Sequence, residues 1–93
     1  MRAASITARV LVDDFDAWKP LFDQDIPNAR EKALGWTLYR STDDPTEVFI
    51  RVDFASIGDA TEARDRVRSS GVLERLREHY GPVVIQQADS KTL

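Results

Sequence analysis

The chain has 93 residues, no cysteine and a formal net charge of −3, with acidic and basic residues mixed along its length. A single domain spanning residues 1–93 buries only about 60–65% of its unfolded surface, and no disulfide is available to supplement so thin a core. The charge balance argues against a nucleic-acid-binding protein with a basic face, and no apolar run approaches the roughly 20 residues that cross a bilayer.

The first part of the chain predicts a strand followed by a helix. Residues 6–12 alternate in polarity so that one side of the strand is entirely apolar. Asp13 and Asp14 then offer carboxylates that cap a helix, and apolar residues follow at helical spacing. Pro20 suits only the first turn of a helix, so the start of this helix is left open.

The middle of the chain predicts an antiparallel hairpin. Residues 36–41 and 47–54 read as strands, and residues 42–46 are rich in the residue types that turns favour. The second of these strands has one apolar face, formed by Val48, Ile50, Val52 and Phe54.

The last third of the chain predicts a helix and a final strand. The helix is interrupted at residues 69–71, and a further helical segment is predicted to run to Tyr80 and to end at Gly81 and Pro82. Residues 83–88 are predicted as the fourth strand.

The order βαββαβ predicts a ferredoxin-like α+β fold, with a four-stranded antiparallel sheet and both helices on one face. The other face combines large apolar groups with charges, and we expect it to contain Thr7, Arg9, Leu11, Tyr39, Phe49 and Arg51. Such a face is too apolar to leave in water and too polar for a dry core. We therefore expect a homodimer, paired face to face around a partly polar cavity.

Three stretches of the sequence carry a resemblance to a known family. They are residues 12–23 with a Trp-Lys-Pro segment, residues 38–48 with an Asp-Asp-Pro segment, and residues 69–73. Together they resemble small bacterial proteins of the dimeric α+β barrel superfamily, which includes the antibiotic-biosynthesis-monooxygenase-like domains. The resemblance covers residues 6–88 and implies the fold and the dimer.

No metal and no cofactor is predicted. The haem-degrading branch of the superfamily has an Asn on the first strand and a Trp near the end of the third, and this chain has neither. His79, the only histidine, is interpreted as a surface residue at a helix C-terminus, because a metal site needs several ligands and none is spaced nearby.

Seven residues are candidates for a functional site. The catalytic candidates are Tyr39 and Arg51, and the ligand-binding candidates are Arg9, Lys19, Arg30, Trp36 and Asp53. In the functional interpretation Arg9 or Arg51 orients a carboxylate or phenolate, while Tyr39 hydrogen-bonds or transfers a proton.

Each candidate has a structural alternative. The charges at Arg9, Arg51 and Asp53 also fit a buried ion pair at a dimer seam. Lys19 and Arg30 flank the first helix, where they meet either an anionic ligand or only water.

Three functions remain open at this point. The first is a homodimer that binds a small aromatic or anionic molecule between sheet and helices. The second is a cofactor-independent monooxygenase or cyclase acting on an aromatic or polyketide-like compound, and the third is a structural dimerisation module without a ligand. The lack of cysteine and of an apolar leader favours a cytoplasmic location.

Overall fold

The structure, a computed structural model, describes residues 3–25 and 27–93. Its helices and strands are β1 Ala4–Leu11, α1 Phe15–Gln24, β2 Gly35–Arg40, β3 Glu47–Phe54, α2 Ile57–Ser70 and β4 Glu78–Ile85. A short 3₁₀ segment, Val72–Arg75, lies between α2 and β4. The predicted βαββαβ order is confirmed.

The four strands form one antiparallel sheet in the order β2-β3-β1-β4, which is the ferredoxin-like arrangement. The register places Ile6 beside Val52 and Val10 beside Val48. Because side chains alternate across a strand, the apolar residues of β1 and β3 share one face. Helices cover that face, so the polar and aromatic residues of the same strands are left on an open face.

Helix α1 is fixed at both ends but is not sunk into the core. The Asp14 side chain accepts a hydrogen bond from the backbone N–H of Asp16 at 3.0 Å, which confirms the predicted cap. Asp25 ends the helix in the left-handed conformation. Pro20 lies inside the helix rather than in its first turn, at an exposed position where water can solvate the carbonyl freed by the missing N–H. No residue of α1 is buried.

Helix α2 is the one that packs closely on the sheet. Its first turn is capped by the Ser56 hydroxyl, which accepts from the backbone N–H of Asp59 at 3.1 Å. Ala60 and Ala63 are buried and belong to the same apolar cluster as Phe54. In the ranges that the structure describes, neither helix is long and apolar enough to span a membrane.

The prediction of a helical segment through Tyr80 is wrong. Only Val72–Arg75 is helical, and β4 already begins at Glu78. The strand continues through Gly81 and Pro82 because its register against β1 shifts there, and an edge strand tolerates a proline where a central strand does not.

Candidate functional site

A cavity of about 340 Å³ lies between α1 and the helix-covered face of the sheet. Side chains of β1 and β3 form its floor, among them Ala8, Val10 and Val52. Trp18 and Phe22 of α1 form its roof. The space exists because α1 buries none of its residues, so it lies above the sheet without filling the gap.

The roof of the cavity belongs to a row of aromatic rings. The ring centres of Phe15 and Trp18 are 6.0 Å apart, and those of Trp18 and Phe22 are 5.2 Å apart. Phe22 meets Trp36 of β2 edge to face, again at 5.2 Å. These contacts hold α1 along the sheet edge, since aromatic pairs at such distances attract one another.

The lining of the cavity also includes charged residues. Arg30 lies 3.5 Å from the Asp25 carboxylate, which also accepts hydrogen bonds from the backbone N–H groups of Ala29 and Arg30. The Arg30 guanidinium also donates to the carbonyl of Phe22, so this charge is compensated and held in place. Charged residues from two further segments, Asp13, Asp14 and Arg75, complete the lining.

The lining determines what the cavity can do chemically. Among its described residues no side chain carries a hydroxyl, an imidazole or a carboxamide, so hydrogen bonding falls to the Trp18 indole N–H and the charged groups. Such a site suits a molecule with an apolar body, whose polar groups would meet the charged residues of the lining.

Three of the predicted ligand-binding residues come together around Phe22. The Arg30 guanidinium lies 4.0 Å from the Phe22 ring centre, and the Lys19 ammonium lies 5.3 Å from the Trp36 ring. Lys19 is also paired with Asp23 at 2.7 Å. Of this group only Arg30 lines the cavity, while Lys19 and Trp36 lie outside it.

The other four predicted site residues lie on the open face of the sheet. The register aligns Tyr39, Phe49, Arg9 and Tyr80 in one row across all four strands. The aromatic members of this row are substantially exposed: Tyr39 by 56%, Phe49 by 39% and Tyr80 by 67%. Arg9 is paired with Glu47 at 2.5 Å.

Arg51 and Asp53 form a second ion pair on this open face. Their charged groups are 2.9 Å apart, and the Ser5 hydroxyl donates to the Asp53 carboxylate at 2.6 Å. The hydrogen bond from Arg51, and then that from Ser5, lower the pKa of Asp53 below its ordinary value. In return, Asp53 raises the pKa of Arg51.

The sheet therefore separates the predicted site residues into two groups. Tyr39 and Arg51 face away from the cavity, and their catalytic role stays a prediction that concerns the open face alone. Trp18 and Arg75 were not among the predicted site residues, yet both line the cavity. The aromatic stripe of α1 can be identified as part of a cavity wall only when the tertiary structure shows that the helix buries none of its residues.

His79 is exposed on β4 and not at a helix end. Its Nδ1 lies 2.9 Å from the carbonyl oxygen of Gly81. Within residues 3–25 and 27–93, no three His, Cys, Asp or Glu side chains are grouped so as to hold a metal ion.

Comparison with known proteins rests on structure. No family model matches the chain, and no curated protein matches its sequence. Solved structures do match over nearly the whole length. A cofactor-independent oxygenase from Streptomyces nogalater, SnoaB, has a TM-score of 0.71 at 12% identity, covering 97% of each chain. Rv0793 from Mycobacterium tuberculosis has a TM-score of 0.67 at 20% identity, covering 97% of this chain and 99% of the other.

A candidate antibiotic biosynthesis monooxygenase from Bordetella bronchiseptica adds a third match, with a TM-score of 0.61 at 22% identity over 100% of both chains. The chain has the antibiotic-biosynthesis-monooxygenase-like fold. The resemblance inferred from the sequence is thus confirmed at the level of this monooxygenase-like fold.

Proposed function

We propose that the protein binds a small, largely apolar molecule in the cavity between α1 and the sheet. The observation that carries the proposal is the cavity itself, whose volume of about 340 Å³ lies in the range typical of ligand sites. Trp18 and Phe22 remain only partly buried above it, so a ligand would remove apolar surface from water that the fold alone leaves accessible. A dimerisation module without a ligand would have no need of such a space.

The proposal includes a homodimer formed through the open face. Tyr39 and Phe49 are adjacent on the open face, Tyr80 lies beyond Arg9 in the same row, and Ile85 adds a further exposed apolar side chain on the same sheet. A second copy would cover this row, and large aromatic residues are the type most enriched at protein interfaces. The cavity and this face lie on opposite sides of the sheet, so ligand binding and dimer formation can be tested separately.

The test of ligand binding uses phenylnaphthylamine, a neutral compound that fluoresces strongly in apolar surroundings. We expect saturable binding by the wild-type protein with one site per chain. Ala8 is buried in the cavity floor, so Ala8→Leu places extra bulk in the ligand space. It should weaken binding at least about tenfold, since an occupied volume excludes the probe. Ala88→Leu, at an exposed position in the tail, is the matched control.

The result that counts against the proposal is equally specific. If the wild-type protein gives no saturable signal, or if Ala8→Leu binds the probe as well as Ala88→Leu does, the cavity is not a binding site. Far-ultraviolet circular dichroism of each variant separates lost binding from lost folding.

A cofactor-independent oxygenase is the second candidate function, favoured by the structural likeness to SnoaB. In such a reaction an activated CH₂ group of an organic substrate reacts with O₂. One oxygen atom becomes a carbonyl on that carbon, and the other leaves as water with the two hydrogens. Among the described lining residues, the side chains that can accept a proton from such a substrate are the carboxylates of Asp13, Asp14 and Asp25.

Oxygen uptake with anthrone and quinol substrates tests this second function and locates it. Loss of turnover in Ala8→Leu would assign the chemistry to the cavity. Loss in Tyr39→Phe or Arg51→Ala, with Ala8→Leu active, would assign it to the seam between two open faces. Absence of uptake across the panel would leave the protein as a binder only.

A further inference from the structure

Two arginines line the cavity, and they differ in how their charge is compensated. Arg30 is paired with Asp25 and donates to a backbone carbonyl. The Arg75 side chain is exposed and makes no hydrogen bond or ion pair with any residue in the part of the chain that the structure describes. Arg75 is therefore a cation at the cavity that the protein itself leaves without a counter-charge.

The backbone conformation before Arg75 positions this residue beside the cavity. Gly71 ends α2 in the left-handed conformation, and the chain then turns through the 3₁₀ segment Val72–Arg75. Val72, Leu73 and Leu76 also line the cavity, so Arg75 is the one charged residue in a local apolar wall. Its position joins an apolar space to a free guanidinium, which is the chemistry that an amphipathic anion needs.

The carboxylates that share this lining are already engaged. Asp13 lies 3.7 Å from the Arg77 guanidinium. Asp14 accepts the capping hydrogen bond from Asp16 at the start of α1, where the helix dipole favours a negative charge. Neither carboxylate lies within ion-pair distance of Arg75, so neither neutralises it.

We propose that Arg75 binds the acidic group of an amphipathic organic acid whose apolar body occupies the cavity. This inference rests on the proposed function and specifies the class of its ligand. Two contributions favour the binding of such an organic anion. Its apolar part leaves water, and its charge meets a guanidinium able to form two parallel hydrogen bonds. A neutral molecule of the same shape would gain only the first of these.

A matched pair of fluorescent probes isolates the charge. Anilinonaphthalene sulfonate differs from phenylnaphthylamine by its sulfonate group, so one is anionic and the other neutral. We expect Arg75→Met to weaken binding of the sulfonate by about twofold to fivefold, the usual effect of losing one exposed ionic contact. Binding of the neutral probe should stay unchanged, and Arg75→Lys should retain part of the preference for the anion.

Arg64→Met on α2, outside the cavity lining, is the matched control and should affect neither probe. Raising the salt concentration should weaken binding of the sulfonate to the wild-type protein more than to Arg75→Met. Equal sulfonate affinity in the wild-type protein and Arg75→Met, with the neutral probe bound by both, overturns this inference and leaves the proposed function intact. Failure of both probes to bind the wild-type protein overturns the proposed function as well.

Discussion

The guanidinium of Arg30 donates a hydrogen bond to the backbone carbonyl of Phe22 and lies 4.0 Å from the centre of the Phe22 ring. One side chain thus holds both the last turn of α1 and an aromatic residue in the roof of the cavity. Since α1 has no buried residue of its own, contacts of this kind replace core packing as the means of keeping the helix in place.

Arg30→Met should therefore destabilise the protein by about 1–2 kcal/mol, because it removes the side-chain hydrogen bond to the carbonyl of Phe22 and the ion pair with the Asp25 carboxylate. Urea unfolding followed by circular dichroism measures the change. Lys32→Met is the control, since Lys32 makes only exposed pairs with Asp59 and Glu62; it should cost less than about 0.5 kcal/mol. Equal effects of the two variants would show that Arg30 does not anchor the helix.

An aspartate introduced at either of two neighbouring positions of β3 should have opposite effects on folding. Val52 is 6% exposed on the helix-covered face, so Val52→Asp buries an unpaired carboxylate and should unfold the chain. Arg51 is exposed on the open face, so Arg51→Asp should remain folded. Thermal melts followed by circular dichroism compare the two, and a cooperative melt of Val52→Asp near the wild-type temperature would disprove the assigned faces.

The proposed dimer predicts an effect of charge reversal on the open face. Arg51→Glu sets a second carboxylate beside that of Asp53, at the place where the Arg51 guanidinium now pairs with it. Sedimentation velocity over a dilution series should show dissociation at higher protein concentration than in the wild type. Arg64→Glu on α2 is the control for a change of two charge units elsewhere. An unchanged sedimentation profile for Arg51→Glu would argue that the open face is not the seam.

The Asp53 carboxylate predicts how stability changes with pH. Its pKa is lowered in the folded protein, so its contribution is present above the ordinary unfolded value of about 3.9 and is lost as the pH falls through the lower folded value. The stability difference between the wild type and Asp53→Asn should therefore shrink below about pH 4. Urea unfolding at a series of pH values measures it, and a difference that stays constant down to the acid limit of folding would contradict the lowered pKa.

Titration by NMR tests the cause of that lowered pKa. Arg51→Met should raise the pKa of Asp53 towards its ordinary value by more than Ser5→Ala does, because the hydrogen bond from Arg51 is the larger influence. The reverse order would mean that the Ser5 hydroxyl dominates.

The backbone conformation and surroundings of three glycines predict different losses of stability on substitution by alanine. A Cβ at Gly81 would lie 2.8 Å from the carbonyl oxygen of Thr7, at a backbone φ of +85°. Gly71 has a φ of +83° but open space, and Gly35 has neither constraint. Gly71→Ala should cost about 1 kcal/mol for the left-handed backbone, Gly81→Ala at least about 2 kcal/mol, and Gly35→Ala much less. Urea unfolding of the three variants would refute this order if Gly81→Ala proved the mildest.

The local sequence pattern was sufficient to predict structure wherever a residue's environment depends on its immediate neighbours in the chain. The alternation in β3 predicted the bounds that the strand has, and Asp14 caps α1 as its carboxylate and position indicate. The same alternation also separates Trp36 from Tyr39, because residues an odd number apart on a strand face opposite sides. Trp36 accordingly contacts Phe22 of α1, while Tyr39 lies on the open face.

Contacts between distant segments decided the rest. Residues 78–82 form a strand rather than a helix because β1 offers them a pairing partner, which no local propensity reveals. The cavity depends on how far α1 stands from the sheet, and the free charge of Arg75 depends on which carboxylates the fold leaves out of its reach. The sequence by itself determined the order of the elements and the faces of the strands, since those follow from periodicity. Only the tertiary structure decided where space and unpaired charge remain, since both are properties of segments brought together across the chain.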